Sequence, residues 1–300
     1  MSGVAGTPGA LLHYIAKLRE HHVGLACLQE VRSAVETTLV VGGYHLVLAA
    51  GERGQLGVAM FFAPSVWSTV CKVWCESARL MIALLSWQDQ ELILVNVHMP
   101  HAGKEQCERV AFLHHVRDMV GQWRQRHPKA CLIILGDWNL RLNWADLDDS
   151  FAAHDVTSDV GEEALDLATR FDLQPVLPQG QAWHATFFQG RRESRIDHVL
   201  ASASLTAQLS HLQVCEEDDL MLDAPEHSGH KPISFYVRGR LKPVRPTGRF
   251  PRRLTPLQVA AAKNWMQAHP LEVVAGSLRR YQRRLEQPQV ITGVSLSSTS

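Results

Sequence analysis

Five apolar runs in this chain each border polar side chains that can carry chemistry. In chain order these runs are "LACLQE", "LILVNVH", "LIILGDWN", "RIDHVL" and "HKPISFYV". Short apolar runs rich in Val, Ile and Leu are typical of buried strands. The ends of neighbouring strands in stacked sheets meet at one edge, so a layered α/β fold would bring these polar residues together. The pattern therefore predicts an α/β protein with one site built at the ends of its strands.

The remaining sequence predicts helices and further strands around this set. Amphipathic patterns indicate helices at residues 10–22, 104–127 and 161–173, and "GERGQL" and "QDQ" are turns between paired strands. Residues 1–10 are small and Gly-rich and are predicted to be disordered. Beyond residue 238 the pattern changes to a Pro-containing basic linker, two predicted helices at 255–269 and 271–287, and a frayed end, "SLSSTS".

The net charge of zero conceals a division along the chain. Residues 238–300 contain 12 Lys and Arg against two Asp and Glu, which leaves 18 basic and 28 acidic residues in residues 1–237. An acidic body suits a site that gathers divalent cations, and a basic tail suits a polyanion such as nucleic acid. The alternative is that both are ordinary solvated surfaces. The basic stretch around Gly248, with Arg249, Arg252 and Arg253, is the predicted nucleic-acid-binding segment.

The six cysteines lack the clustered pairs that a structural zinc site needs. Cys27 and Cys131 lie in apolar runs and are predicted to be buried thiols. The first residues do not resemble a signal peptide, and no apolar run reaches membrane-spanning length. We expect an intracellular protein with reduced thiols that is neither secreted nor inserted in a membrane.

The acidic residues at the strand ends predict a metal site. Glu30, Asp137 and Asp197, together with Asn139, offer hard oxygen ligands that suit Mg²⁺ or Mn²⁺. Taken singly, Glu30 could be a cap, and Asp137 and Asn139 could form an Asx turn. Asp197 lies within an apolar run, where a buried acid needs a partner or a metal. With His98 or His230 nearby, such a set could attack a phosphate ester.

The same motifs, in this order and spacing, resemble the endonuclease/exonuclease/phosphatase superfamily, whose members have the DNase I-like fold. The resemblance covers residues 11–238 and is strongest in "GDWN", "SRIDH" and the Ser-x-His before the last strand. It is closest to the apurinic/apyrimidinic-endonuclease-like domains of non-LTR retrotransposons. It implies a four-layer α/β sandwich, in which two packed, mainly antiparallel sheets are flanked by helices.

The resemblance also implies a role for each matching residue. Glu30 would bind Mg²⁺, Asp137 would position or activate water, and Asn139 would bind the scissile phosphate. His98 would contact the phosphate, Asp197 would have a structural or metal-directed role, and His230 would be the catalytic histidine. The supporting residues would be Asn96, Arg195 and Ser228.

Two departures from the family pattern stand out. The family begins with a strand that ends in an asparagine near the metal, and this chain begins just before the first helix, so we expect an N-terminally truncated domain that lacks one central strand. The family also has Ser-Asp-His where this chain has Ser228-Gly229-His230. Since that aspartate supports the metal, the glycine predicts reduced activity.

These observations lead to one main functional hypothesis and two alternatives. The first is a Mg²⁺-dependent or Mn²⁺-dependent endonuclease of retroelement origin that hydrolyses DNA, without a small-molecule cofactor. A DNA substrate would place it in the nucleus, and RNA is the alternative polymer. The second hypothesis is a catalytically degenerate relative that still binds nucleic acid. The third is a superfamily phosphatase with another phosphoester substrate, because substrate choice lies in loops that these motifs do not fix.

Overall fold

The fold comes from a computed structural model, which describes residues 8–52, 56–87, 90–142, 158–177, 185–189, 191–215, 228–239, 243 and 291–297. The three longer helices are α1 (Pro8–Glu20), α3 (Gln106–Arg126) and α4 (Asp159–Arg170). Two single-turn helices are α2 (Pro64–Trp67) and α5 (Ala203–Thr206). The predicted helices at 10–22, 104–127 and 161–173 are therefore confirmed, with ends shifted by a few residues.

Sixteen strands form two large sheets and one small sheet in the described part of the chain. The first sheet, in spatial order, contains β13 (Leu209–Val214), β15 (Ile233–Val237), β16 (Ile291–Ser297), β1 (Leu25–Gln29), β4 (Ala59–Phe62), β3 (Tyr44–Leu48) and β2 (Thr37–Val41). The second contains β5 (Val70–Ser77), β6 (Leu80–Trp87), β7 (Gln90–His98), β8 (Cys131–Asp137), β12 (Asp197–Ser202) and β9 (Leu173–Pro175). The small sheet contains β11 (Arg192–Ser194), β10 (Phe187–Gln189) and β14 (Ser228–His230).

The two large sheets pack face to face and are covered on their outer faces by helices. On β1, Leu25 and Cys27 point into the core between the sheets, whereas Ala26 and Leu28 pack with α1. On the second sheet, alternate residues of β6 face the same central core, and the others pack with α3 and α4. Strands buried on both faces are apolar throughout, which explains the continuous runs in the sequence. The predicted four-layer sandwich of mainly antiparallel sheets is confirmed.

The structure confirms the predicted strand pairs and the two buried thiols. The strands on either side of "GERGQL", β3 and β4, pair antiparallel, as do β6 and β7 around "QDQ". Two neighbouring pairs, β7 with β8 and β1 with β16, are parallel. Cys27 and Cys131 are buried and free.

The predicted frayed end is wrong for residues 295–297. They belong to β16, which pairs in parallel with β1 and antiparallel with β15. The sheet therefore has a central strand next to β1, although no strand precedes α1 among the described residues. Serine and threonine dominate "SLSSTS" and concealed the strand, but a central strand is held by backbone hydrogen bonds on both sides. The predicted disorder of residues 1–10 is wrong for residues 8–10, which begin α1, and residues 1–7 lie outside the described residues. The two predicted C-terminal helices and nearly all of the linker also lie outside them, and the domain boundary at 238 stays a prediction.

Candidate active site

Two buried carboxylates lie beside each other on neighbouring strands of the second sheet. Asp137 ends β8, Asp197 begins β12, and the two residues are directly opposite in the antiparallel register. Both are 3% exposed. The preceding residue, Gly136, lets β8 approach β7 closely with a φ of +138°. Trp138 is buried in the core beneath α3 and α4 and anchors the turn that follows.

His98 lies beside this carboxylate pair because β7 runs parallel to β8 in a register that pairs His98 with Asp137. Its Nε2 is 3.7 Å from Asp137 Oδ2 and 3.9 Å from Glu30 Oε1. Burial, and then the positive charge of Arg79, lower the pKa of His98 to about 3. His98 is therefore a neutral imidazole near pH 7, placed between two acidic side chains.

Glu30 reaches the site from the other large sheet, directly after β1. Its backbone has a φ of +53°, which is uncommon for a residue with a side chain. Arg32 Nη2 lies 3.4 Å from Glu30 Oε2. Behind Glu30, fully buried Asn96 accepts a hydrogen bond from Gln29 Nε2 at 2.6 Å and donates to the carbonyls of Leu28 and Ala59. Asn96 thus ties the end of β1 to β7, which is the position expected of a supporting residue.

His230 enters from the small sheet, where it pairs with Phe187 across β14 and β10. Its Nδ1 lies 2.9 Å from Asp197 Oδ2, and its Nε2 lies 3.8 Å from Asp137 Oδ2. The ring of Phe187 packs on the imidazole with centroids 4.7 Å apart. Burial by itself lowers the pKa of His230, but the carboxylates of Asp197, Asp137 and Glu30 outweigh burial and raise it to about 9. His230 is therefore protonated near pH 7, and Nδ1 donates to Asp197.

Asn139 fixes the Asp137 carboxylate. Its backbone N–H donates to Asp137 Oδ1 at 2.8 Å, and its Nδ2 donates to Asp137 Oδ2 and to the carbonyl of Met99, both at 3.0 Å. Its φ of +45° is tolerated better by asparagine than by most residues. The Asx-turn alternative is thus part of the observed geometry, and the predicted contact with a phosphate stays a prediction.

The carboxylates fit a divalent cation. Carboxylate oxygens of Asp137 and Asp197 lie within 4.8 Å of each other, and Glu30 lies on the other side of His98. Burial raises the pKa of Asp137, and nearby Asp197 and Glu30 raise it further, whereas His230 lowers it. A cation would relieve this repulsion and lower the pKa of Asp137. The oxygen-rich donor set suits Mg²⁺ or Mn²⁺.

Of the other predicted site residues, Arg195 and Ser228 are described by the structure, and the nucleic-acid-binding residues are not. Arg195 is 5% exposed, and burial lowers its pKa to about 10 although Asp197 opposes this. Its Nε has no hydrogen-bond partner among the described residues. Ser228 begins β14, two residues before His230. The predicted nucleic-acid-binding arginines, Arg249, Arg252 and Arg253, lie outside the described residues.

Four residues that support the site were not assigned a role by the sequence motifs. Arg79 Nη1 donates to the carbonyl of His98 at 3.2 Å, and Arg109 Nη2 donates to the carbonyl of Asn139 at 2.8 Å. The Thr186 hydroxyl accepts from the backbone N–H groups of residues 196 and 197, both at 3.1 Å. Buried His198 bonds the carbonyl of Leu140 at 2.9 Å. His198 lies within "SRIDH", whereas Arg79, Arg109 and Thr186 lie outside the quoted motifs and reach the site through tertiary packing.

Gly229 adopts a backbone conformation that suits only glycine. It is buried in β14, opposite Phe188, with a φ of +145°. Any side chain at this position would strain the strand that presents His230. The glycine is therefore matched to the observed backbone, and an aspartate could not simply be restored here.

We expect Gly229→Asp to lower the free energy of unfolding by about 1–3 kcal/mol, because a side chain at this φ is strained. Gly229→Ala is the matched control, since it introduces the same strain without a carboxylate. Urea unfolding of both variants, followed by tryptophan fluorescence, measures the effect. Wild-type stability in Gly229→Asp, combined with faster cleavage of any phosphoester, would contradict this account.

Comparisons with known proteins agree with the fold and the motifs. A sequence model described as "Endonuclease/Exonuclease/phosphatase family" matches residues 3–234. A search of curated proteins finds no match to the chain. Within the part of the chain that the structure describes, no helix is both long and apolar enough to cross a membrane.

Several solved structures share the fold at low sequence identity. The 3'-5' exonuclease NExo from Neisseria meningitidis is 20% identical, with a TM-score of 0.58 over 77% of this chain and 96% of that one. The AP endonuclease LMAP from Leishmania major is 18% identical, with a TM-score of 0.60 over 77% and 85%. The endonuclease domain of TRAS1, a telomere-specific non-LTR retrotransposon, is 14% identical, with a TM-score of 0.52 over 76% and 92%.

These structures show the architecture, and the family model shows the lineage over most of the chain. The family match spans the strands that supply Glu30, His98, Asp137, Asp197 and His230. The family predicted from the motifs is confirmed. This chain belongs to the endonuclease/exonuclease/phosphatase family.

Proposed function

We propose that this protein is a phosphodiesterase that depends on Mg²⁺ or Mn²⁺ and cuts DNA as an endonuclease. The observation that carries the proposal is the contact of His230 with both Asp197 and Asp137, next to neutral His98 and to Glu30. This arrangement places a cationic proton donor, a fixed carboxylate and a set of oxygen ligands within one cluster.

Each side chain has a task that its surroundings support. Asp137, held in place by Asn139, positions the attacking water and can accept its proton. Protonated His230 offers positive charge and an N–H at Nε2 to the phosphate, while Asp197 fixes its ring. His98 provides a neutral hydrogen-bonding group. Glu30 and Asp197 would hold the cation.

When bound, a divalent cation neutralises the negative charge that develops on the phosphate oxygens. The DNA substrate is supported by the structural similarity to nucleases and by the positive charge of residues 238–300. A retroelement origin and a nuclear location remain predictions from the motif resemblance and from the substrate.

The substrate class is tested by incubating the full chain with plasmid DNA, a structured RNA, a 3'-phosphorylated oligonucleotide and a soluble phosphoinositide, each with Mg²⁺, Mn²⁺ or EDTA. We expect metal-dependent cleavage within the DNA strand. Release of phosphate from the 3'-phosphorylated end alone, or cleavage of phosphoinositide alone, would identify a phosphatase instead. The comparison structures include a Neisseria 3' phosphatase bound to a product DNA hairpin, which justifies the third substrate.

A degenerate nucleic-acid-binding relative is the second candidate, and Gly229 is the observation that favours it. The family's aspartate is absent, and the backbone at Gly229 does not accept it without strain. Metal-independent binding of DNA, without turnover of any of the four substrates, would support this candidate.

The charge state of His230 predicts the alkaline limit of activity. Carboxylates of Asp197, Asp137 and Glu30 raise the pKa of His230 to about 9, and a bound cation would offset part of their charge, so cleavage that needs protonated His230 should fall as the pH rises towards about 9. Asp197→Asn removes the nearest carboxylate, so it should move this limb towards lower pH. Single-turnover rates measured from about pH 6 to about pH 10 give the shift of the alkaline limb. Glu163→Gln, which changes an ion pair with His114 on α3, is the control and should leave the profile unchanged.

A further inference from the structure

The last described strand, β16, lies between the two strands that lead to opposite sides of the candidate site. Its five paired residues on one side run parallel to β1, which leads directly into Glu30. Its five paired residues on the other side run antiparallel to β15, which follows His230 and Pro232 along the chain. β16 therefore separates β1, which leads to Glu30, from β15, which follows His230.

The far end of β16 lies close to the other strands that carry site residues. Ser297 is level with Gln29, the residue before Glu30, in the parallel register. β16 also contacts β8, which ends at Asp137, and β14, which ends at His230. The backbone of this strand therefore lies next to three of the elements that position the site: it pairs with β1 and lies close to β8 and β14.

Without β16, the sheet would be split at its centre. Neighbouring strands are about 4.8 Å apart, so β1 and β15 are about 10 Å apart across β16. A vacant gap would leave the backbone groups on both strands without their ladder partners, and a closed gap would shift His230 relative to Glu30 by about one strand spacing. Either result would disrupt the geometry around His98, although no motif residue lies in β16.

The connection to β16 is unusually long for adjacent antiparallel strands. Two residues are enough for a hairpin, whereas residues 238–290 separate β15 from β16. Connections longer than about 12–15 residues are uncommon within compact domains. The strand is thus a segment remote in sequence that inserts into a slot formed by the rest of the chain.

We propose that Ile291–Ser297 is a positioning strand that inserts from the C-terminal part of the same chain and sets the distance between Glu30 and His230. The strand is held between β1 and β15 by backbone hydrogen bonds. The inference concerns assembly of the site, so it can be tested by stability and cross-linking independently of the proposed nuclease activity.

The position of the strand can be tested in the full chain with a pair of cysteines. Tyr236 and Thr292 are opposite each other in the antiparallel register, so Tyr236→Cys with Thr292→Cys should oxidise to an intramolecular disulfide. Tyr236→Cys with Gly293→Cys is the control, since successive residues of a strand face opposite sides of the sheet. Non-reducing electrophoresis and peptide mapping should find the disulfide in the first variant only.

The importance of the strand can be tested with Val294→Pro, because Val294 is paired on both sides, with Ala26 and with Ser234. Proline is excluded from central strands, so we expect a midpoint of thermal unfolding lower by roughly 5–10 °C. Val294→Thr keeps a β-branched residue and should remain close to the wild type. A peptide of residues 289–299 should bind to the Val294→Pro protein and raise its midpoint.

Three results would overturn the proposal. The first is a Val294→Pro protein with the same midpoint as Val294→Thr. The second is equal disulfide formation in the matched and shifted cysteine pairs. The third is a cross-linked dimer, which would assign the strand to a second copy of the chain. If the wild type cleaves no phosphoester but the cross-link and the midpoints follow expectation, the proposed function fails and the positioning strand stands.

Discussion

Replacing His230 with glutamine should slow phosphodiester cleavage on the order of 10³-fold. Glutamine retains a hydrogen-bonding amide that can face Asp197, but it cannot carry the positive charge that three carboxylates favour on His230. The loss should appear in kcat, because the charge acts on the phosphate as negative charge develops. The rate is measured as cleavage of a fluorescent DNA duplex, under single-turnover conditions and with excess substrate.

The matched control for His230→Gln is His115→Gln. His115 is a half-exposed residue of α3 that pairs with Glu76 at 3.3 Å, and the described contacts do not link it to the site. The His115→Gln protein should cleave DNA at the wild-type rate. A His230→Gln protein that is folded and cleaves at the wild-type rate would show that His230 is a structural residue.

Gly136→Ala should destabilise the protein by about 2–6 kcal/mol, from backbone strain and overpacking together. A Cβ at this position would lie 2.0 Å from the carbonyl oxygen of Val97, and the φ of +138° is itself unfavourable for alanine. Relief requires β7 to move away from β8, which would separate His98 from Asp137. Since whole domains are stable by about 5–15 kcal/mol, the effect should be evident in urea unfolding.

Gly121→Ala is the control for this substitution. Gly121 lies in α3, and a Cβ there would meet only Phe171 at an ordinary distance of 3.9 Å. Alanine in a helix interior is favoured over glycine by about 0.5–1 kcal/mol, so this variant should be slightly more stable than the wild type. Equal stability of the two alanine variants would contradict the close approach of β7 and β8.

The sequence was sufficient to predict most of the elements that carry the site. β1, β7, β8 and β12 are apolar on both faces because they are covered by a sheet on one side and by helices or a sheet on the other. Their polar ends therefore contrasted sharply with their interiors. Layered packing then required those ends to meet at one edge, as Glu30, His98, Asp137 and Asp197 do.

The contacts among these residues could not be predicted in the same way. The pairing of His230 with Asp197 depends on the small sheet, whose strands are three residues long and show no periodicity. The support from Arg79 and Arg109 depends on residues far apart in sequence. The apolar residues of β16, Ile291, Val294 and Leu296, do not alternate regularly with its polar residues, so the strand was not evident from the sequence. The conformation of Gly229, with its positive φ, could not be predicted from the motif either.

The central claim is tested most directly by the conversion of supercoiled plasmid to nicked circle by the full chain, with wild type and Asp137→Asn assayed in parallel. Asparagine preserves the shape of Asp137 but removes the carboxylate that accepts from Asn139 and faces both histidines. We predict nicking by the wild type with Mg²⁺ or Mn²⁺, its loss in EDTA, and its loss in Asp137→Asn. Equal nicking by both proteins, or none by a folded wild-type protein with either metal, would contradict the account.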